Sequence, residues 1–266
     1  MGSVGFIGGG NMAEALIGGI VKNGLYDPKK IVVYDVSEDR LALLEKTFGV
    51  KRAQDSRQLL QEVPAVVLAV KPSVLPSVID ELKGQLKEKL VISIAAGITI
   101  DSIMGVLGRD ARVIRVMPNT PALVGEGAAA LAASSTCSDA DTACARDIFS
   151  AVGICLEMEE GLINAVTALS GSGPAFAFLF IEALADGGVR CGLPRDKALK
   201  LAAETLKGAA AMVSQTGVQP GKLKDMVTSP AGTTIEGISV LESRSFRSAV
   251  IDAVFSAYRR ACELTK

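Results

Sequence analysis

The chain has 266 residues, 49% of them apolar and only 4% aromatic, with a formal net charge of −1. That length holds two ordinary domains with a sizeable core, and the balanced charge argues against nucleic acid or an anionic membrane as partner. Histidine is absent altogether, which excludes a His-based triad, a His general acid and His metal ligands; no metal is expected, and chemistry falls to hydroxyls, Lys, carboxylates, backbone N–H groups or a cofactor.

The first apolar run, Val4–Ile7, reads as a buried strand stopped by glycine. Ile7-Gly8-Gly9-Gly10-Asn11-Met12 leads from it into a helical pattern, with Met12, Ala15, Leu16, Gly19 and Ile20 near helical spacing. Gly8-x-Gly10-x-x-Ala13 is the small-residue variant of the dinucleotide fingerprint. Glycines there let the backbone turn without a Cβ in the way and leave the first helical N–H groups open to a pyrophosphate. A second apolar run, Ile31–Tyr34, ends in Asp35, where the fingerprint places a carboxylate that accepts hydrogen bonds from an adenosine ribose. Strand, glycine turn, helix, strand and acid in that order predict dinucleotide binding.

Strands are predicted at 3–8, 30–35, 50–53, 65–70, 90–96, 112–117, 128–133 and 153–158. Between them lie amphipathic stretches such as 37–48, 75–86, 100–107 and 139–152, with Ser37, Ser56, Thr99 and Ser138 as cap residues. The alternation implies a mostly parallel sheet covered on both faces, and the almost continuously apolar runs 65–70 and 90–96 suit its doubly covered centre. Three strand ends carry unusual sequences. In Ala69-Val70-Lys71-Pro72 the proline holds Lys71 extended, placing a cation at the carboxyl edge of the sheet. Ala95-Ala96-Gly97 offers small residues that a ring or ribose can approach, and Met117-Pro118-Asn119-Thr120-Pro121 holds polar groups between prolines. Dinucleotides bind at that edge, although each segment taken alone also reads as an ordinary αβ turn.

No strand is predicted after about residue 160. Helical segments run over 162–169, 174–190, 195–215, 220–228, 233–243 and 246–264, punctuated at 192–194 and 217–221. The fold class is therefore α/β: an N-terminal Rossmann-type, mostly parallel sheet over 1–158, then an all-α C-terminal dimerisation and substrate domain over 159–266. Phe176–Leu184 is apolar on nearly every side and must be buried all round; a partner subunit is the economical way to do so, which predicts a homo-oligomer with a helical interface. The most apolar segment, Pro174–Ile181, meets Glu182 and Asp186 too soon to span a bilayer. Two stretches are small and polar, Leu169–Pro174 and Thr228–Ile235. The first suits an anion nest at a helix start. The second suits a small carboxylate held by N–H groups, with a threonine hydroxyl donating to a reacting atom. For each, Ser and Thr as plain N-caps is the competing reading.

Five cysteines without C-x-x-C spacing fit buried thiols in a reducing compartment. The first strand leaves no room for a leader peptide, and Phe6 stands where a myristoylation pattern needs Ser or Thr. The expected location is the cytoplasm.

Taken together these residues resemble the pyrroline-5-carboxylate reductases over essentially the whole length. The likeness rests on Val4–Met12, Ala69–Pro72, Ala95–Gly97, Met117–Pro121, Leu169–Pro174, Ala185–Gly188 and, most specifically, Leu223–Ile235. The resemblance implies a Rossmann domain followed by a helical domain that interlocks in a dimer, with dimers assembling into larger rings. It implies hydride transfer from NADP(H) or NAD(H) to the C=N carbon of 1-pyrroline-5-carboxylate, giving L-proline in the last step of proline biosynthesis. Thr234 then matches the hydroxyl at the substrate's ring nitrogen, and Gly232 and Thr233 the loop that holds its carboxylate. Ser229, Glu160, Ser170, Ser172 and Gly173 complete that pocket. Ile7, Gly8, Gly9, Gly10, Asn11, Met12, Ala69, Val70, Lys71, Pro72, Ala96, Gly97, Asn119, Thr120 and Pro121 match the cofactor positions. A cyclic imine is basic enough to arrive with its proton, which explains how the reaction proceeds without histidine.

Asp35 departs from the family's usual pattern, in which the second strand ends in small or hydroxylic residues. A carboxylate there favours a free 2′-hydroxyl over a 2′-phosphate, while Ser37 and Arg40 just beyond could partly restore phosphate binding, so both nicotinamides stay open. The alternatives are a reductase of a related cyclic imine and, from another class, a non-catalytic dinucleotide sensor. The sensor would need a basic or disordered effector arm, for which no segment is seen. A β-hydroxy-acid reductase is disfavoured by Ser229–Thr234, near which such enzymes usually offer a lysine.

Overall fold

A computed structural model describes residues 2–265. By compactness the chain forms two units: one holds the chain up to Ser172 together with the segment that starts at Ala257, the other holds Gly173–Ser256.

The first unit is built on one eight-stranded sheet. In chain order its strands are β1 (Val4–Ile7), β2 (Ile31–Tyr34), β3 (Lys51–Arg52), β4 (Ala65–Leu68), β5 (Leu90–Ser93), β6 (Arg112–Met117), β7 (Gly127–Ala133) and β8 (Gly153–Glu157). They lie side by side in the order β3-β2-β1-β4-β5-β6-β7-β8. The order reverses direction at β1, the switch point where open α/β sheets bind ligands. Every neighbouring pair is parallel except β6 and β7, which run antiparallel with Ile114 opposite Ala133. Helices α1 (Asn11–Lys22), α2 (Glu38–Phe48), α3 (Ser56–Glu62), α4 (Leu75–Leu86), α5 (Ile100–Leu107) and α6 (Asp139–Ser150) form the crossovers.

The strand pleat explains why both faces need cover. Along β4 and β5, Val67 and Ile92 belong to one core with Phe6, Leu16, Ile20 and Phe149. Their neighbours Val66 and Val91 belong to the other, with Leu59, Ile79, Leu82 and Ile103. Successive side chains point to opposite faces, so an almost uninterrupted apolar run is what a doubly covered strand requires. Each fully buried Leu, Ile or Phe contributes roughly 1.5–3 kcal/mol.

The predicted mostly parallel sheet with helices around it is therefore present. Two details differ from the sequence reading. The sequence offers Ser56 as the cap of α3, but the cap is Asp55, whose carboxylate accepts from the Gln58 N–H at 2.7 Å, and Ser56 is the first helical residue. Strand β3 is only two residues long and exposed, because the sheet edge at Lys51–Arg52 has one neighbour and little to cover.

After β8 come α7 (Ile163–Val166) and a π-helical turn at Thr167–Gly171. The second unit holds α8 (Gly173–Arg190), α9 (Arg195–Thr216), α10 (Pro220–Met226), α11 (Thr233–Ser243) and most of α12 (Phe246–Leu264). Its buried seam is thin, consisting of Ala185, Ala198 and Ala202 with Ile181 and Val189 against them. Helix α8 is not buried all round in one chain: Phe178 is 63% and Leu179 68% exposed. The helical run Glu160–Arg190 is long and apolar enough, by length and composition, to cross a membrane. The same test is passed by core and interface helices of proteins that never meet a bilayer, and Glu182 and Asp186 fall within the run.

Candidate functional site

The site in the first unit starts from Gly8. Its φ is +102°, and a Cβ there would stand 2.6 Å from the Ala69 carbonyl oxygen, so only glycine takes the chain off β1 at this angle. The Gly8 N–H donates to Tyr34 O at 2.8 Å. Gly9 lies beneath, its N–H donating to Asp35 Oδ2 at 2.6 Å and its carbonyl accepting from Arg40 Nε at 2.7 Å. Gly10 is exposed, opens α1 and has nothing within 4 Å of the position a Cβ would take. The α1 N-terminus is thus bare on the side where its free N–H groups point, with space for a phosphate.

Next to it is a cavity of about 640 Å³, at the carboxyl ends of β1, β2 and β4. Of the residues singled out from sequence, Ile7, Gly8, Gly10, Asp35, Ala69, Val70 and Lys71 line it. The volume suits a small-molecule or cofactor site. Lys71 is exposed, and its carbonyl accepts from the Val74 and Leu75 N–H groups, which starts α4. Asp35 Oδ1 accepts from the Ser37 N–H at 2.8 Å. Both carboxylate oxygens are therefore held by backbone N–H groups, and each keeps a further lone pair.

Other predicted positions lie outside the cavity lining. Arg40 faces Gly9 O and Glu14, pairing with Glu14 Oε2 at 2.6 Å. The Ser37 hydroxyl caps α2 by accepting from the Arg40 N–H. Asn11 and Met12 form the first turn of α1, Pro72 follows Lys71 on the surface, and Ala96–Gly97 turns at the end of β5, where Gly97 has φ +77°. Asn119 is buried and braces the end of β6: its Nδ2 donates to Ser170 O at 3.0 Å and its Oδ1 accepts from the Ala128 N–H at 2.8 Å. Thr120 and Pro121 begin the 3-10 turn that follows.

Sequence reasoning missed Val36, Ser56, Arg57 and Glu81, all of which line the same cavity. Ser56 and Arg57 arrive on α3, whose cap signal was present as Asp55-x-x-Gln58.

Around Glu160 the chemistry is structural. Glu160 Oε1 accepts from the Ile100 N–H at the start of α5 at 2.8 Å and from Arg115 Nη1 at 3.1 Å. Arg115 is 3% exposed, so its charge requires this partner. The Ser170 and Ser172 hydroxyls donate to Val166 O and Thr167 O of their own helix, and Gly173 opens α8.

In the second unit the residues 228–232 form a tight loop that leads into α11. The Gly232 N–H donates to Ser229 O at 3.1 Å, Ala231 has φ +54°, and a Cβ on Gly232 would collide with Ser229 Oγ. Gly232 is the N-cap of α11 and supplies no side-chain cap. Thr233 and Thr234 form the helix's first turn, and Thr234 is half-buried. This combines open helical N–H groups with uncommitted hydroxyls, as an anionic substrate needs. Among the described residues no group of three or more His, Cys, Asp or Glu could hold a metal ion.

The likeness to known proteins follows the same two regions. Residues 3–97 match the family described as NADP oxidoreductase coenzyme F420-dependent, and residues 160–264 match the one described as pyrroline-5-carboxylate reductase dimerisation. A pyrroline-5-carboxylate reductase of Arabidopsis thaliana is 47% identical, over 99% of this chain and 95% of that one. The solved structure of a pyrroline-5-carboxylate reductase from Coxiella burnetii superposes with a TM-score of 0.95 at 42% identity, covering 100% of this chain and 99% of that one. A Plasmodium falciparum pyrroline carboxylate reductase with NADP bound superposes with a TM-score of 0.89 at 34% identity, covering 99% and 98%.

Proposed function

The chain belongs to the pyrroline-5-carboxylate reductase family, and from that premise we propose that it reduces the C=N bond of 1-pyrroline-5-carboxylate to L-proline with a reduced nicotinamide dinucleotide. The observation that carries the reading in this chain is the bare glycine turn at the start of α1, opening on a cavity that also holds Asp35 and Lys71. The Gly8–Gly10 turn and the α1 N–H groups take the pyrophosphate, Asp35 faces the adenosine ribose, and Lys71 adds a cation at the sheet edge. Met12, Ala69–Pro72, Ala96–Gly97 and Asn119–Pro121 shape the rest of the cofactor groove.

The dinucleotide supplies the hydride when bound. The chain's own residues then have an orienting task. The substrate carboxylate lies against the N–H groups at the start of α11, from Gly232 and Thr233, where the helix dipole is positive. The Thr234 hydroxyl meets the ring nitrogen. Ser229 belongs to the same loop, and in the first unit Glu160 fixes the α5 start and Arg115. Because the imine brings its own proton, holding it in line with the donor accounts for much of the barrier lowering.

Residues 160–264 carry the family's dimerisation region, and the exposed apolar side chains of α8 supply an apolar surface for a second copy. The reading extends to rings of dimers, to independence from metal, nucleic acid and membrane, and to the cytoplasm; the five free cysteines support a reducing compartment. The test is the oxidation of NADPH and NADH, separately, by purified protein with 1-pyrroline-5-carboxylate. Turnover with proline as product is expected. Cofactor binding without turnover would discard this substrate and send the search to other cyclic imines.

A further inference from the structure

We propose that this chain prefers NADH, and that Asp35 enforces the preference by reading the free 2′-hydroxyl of the adenosine ribose. The proposal rests on the cavity at the glycine turn being the dinucleotide site. Three observations carry it.

The first is that Asp35 is fixed. Its two oxygens are held at 2.6 and 2.8 Å by the Gly9 and Ser37 N–H groups, so the carboxylate cannot swing away from an incoming ligand. The remaining lone pairs still accept from a hydroxyl, but a 2′-phosphate brings close to two negative charges at neutral pH and has nothing to donate. The second is that the first cation after Asp35 in the chain is occupied. Arg40 donates Nε to Gly9 O and Nη2 to Glu14, bracing the glycine turn from behind, and it does not line the cavity.

The third is the charge of the wall. Its lining holds three carboxylates, Asp35, Asp55 and Glu81, against two cations, Arg57 and Lys71. Arg57 stands 3.8 Å from Glu81, and Asp55 caps α3. A 2′-phosphate entering here would meet a net negative wall with its closest carboxylate pinned, which makes the phosphate the disfavoured group.

The experiment measures equilibrium binding of NADH and NADPH to the full-length protein by the fluorescence of the reduced nicotinamide, together with kcat/KM for each. NADH is expected to bind at least about tenfold more tightly, equivalent to ~1.4 kcal/mol. Asp35→Ser should narrow or reverse the ratio by strengthening NADPH binding. Val36→Arg adds a cation at a position that is 90% exposed and lines the cavity. It should narrow the ratio without touching the Gly9–Asp35 brace, and so covers the case in which Asp35→Ser does not fold. Equal or tighter NADPH binding by the unaltered protein overturns the proposal. So does an Asp35→Ser protein that loses both dinucleotides equally, since Asp35 would then be a loop brace alone. Failure of the unaltered protein to bind either dinucleotide would instead overturn the assignment of the cavity, which separates the two readings.

Discussion

Thr234 and Gly8 show what a single residue reveals in a sequence and what it withholds. Gly8 is legible because its φ of +102° and its closeness to Ala69 O leave one residue type that fits, so the constraint is written as a letter. Arg40 is not legible. Its spacing from the second strand admits a phosphate contact, and only the fold turns its guanidinium onto Gly9 O and Glu14. Thr234 lies between these cases: it sits in the most specific motif of the chain, but a hydroxyl at a helix start serves a cap or a ligand equally well. Thr234→Ala is expected to lower kcat by about a hundredfold, the lower end of what one positioned proton-handling group contributes, while dinucleotide affinity stays unchanged. Stopped-flow turnover beside a binding titration tests this, and equal losses in both would remove the role.

At the scale of elements, the eight strands and the long helices were readable because periodicity records burial: Val66 and Val67 go to opposite cores, and no polar residue interrupts them. Short elements carry too few residues for a period. Helix α3 has seven, and with it the sequence reading lost Ser56 and Arg57 from the cavity wall. The cap is what positions that helix. Asp55→Ala removes the acceptor for the Gln58 N–H and should cost about 1 kcal/mol of stability, read as a lower urea midpoint with an unchanged m-value. The 228–235 stretch was legible as small and polar, but its backbone shape was not. Ala231 adopts φ +54°, a conformation disfavoured for a residue with a Cβ, and no local propensity announces it.

At the scale of the molecule, the thin alanine seam of the second unit and the exposure of Phe178 and Leu179 belong together. A unit with so little buried surface gains stability from a partner. Phe178→Glu should yield a monomer by light scattering, with a lower melting temperature; a dimer of unchanged stability would show that this face is not the interface. The molecule also has an alkaline limit. Burial pushes the Cys155 thiol up from its ordinary 9.0 to about 11, and it raises Cys137, Cys144 and Tyr26 as well. These groups keep their protons in the folded state after the unfolded chain has lost them, so stability is full below pH ~9 and falls as pH rises towards ~11. Urea midpoints at the two ends of that window should differ, the value at the lower pH being the higher. Cys155→Ala should remove part of the difference.

The division of the first unit into two stretches of chain has a consequence for the order in which the protein is made. Thr265 Oγ1 donates to Asn164 Oδ1 at 3.0 Å, and the Leu264 carbonyl lies 2.8 Å from where a Cβ on Gly97 would stand. A ribosome that has released residues 1–172 has delivered the whole sheet, but not the segment that rests against the Ala96–Gly97 turn. Eighty-four residues of helix and loop, Gly173–Ser256, are threaded out first. The Gly97 turn is thus translated well before the segment that rests against it, and a nascent chain stalled before Ala257 should hold a nicotinamide dinucleotide less well than the full chain.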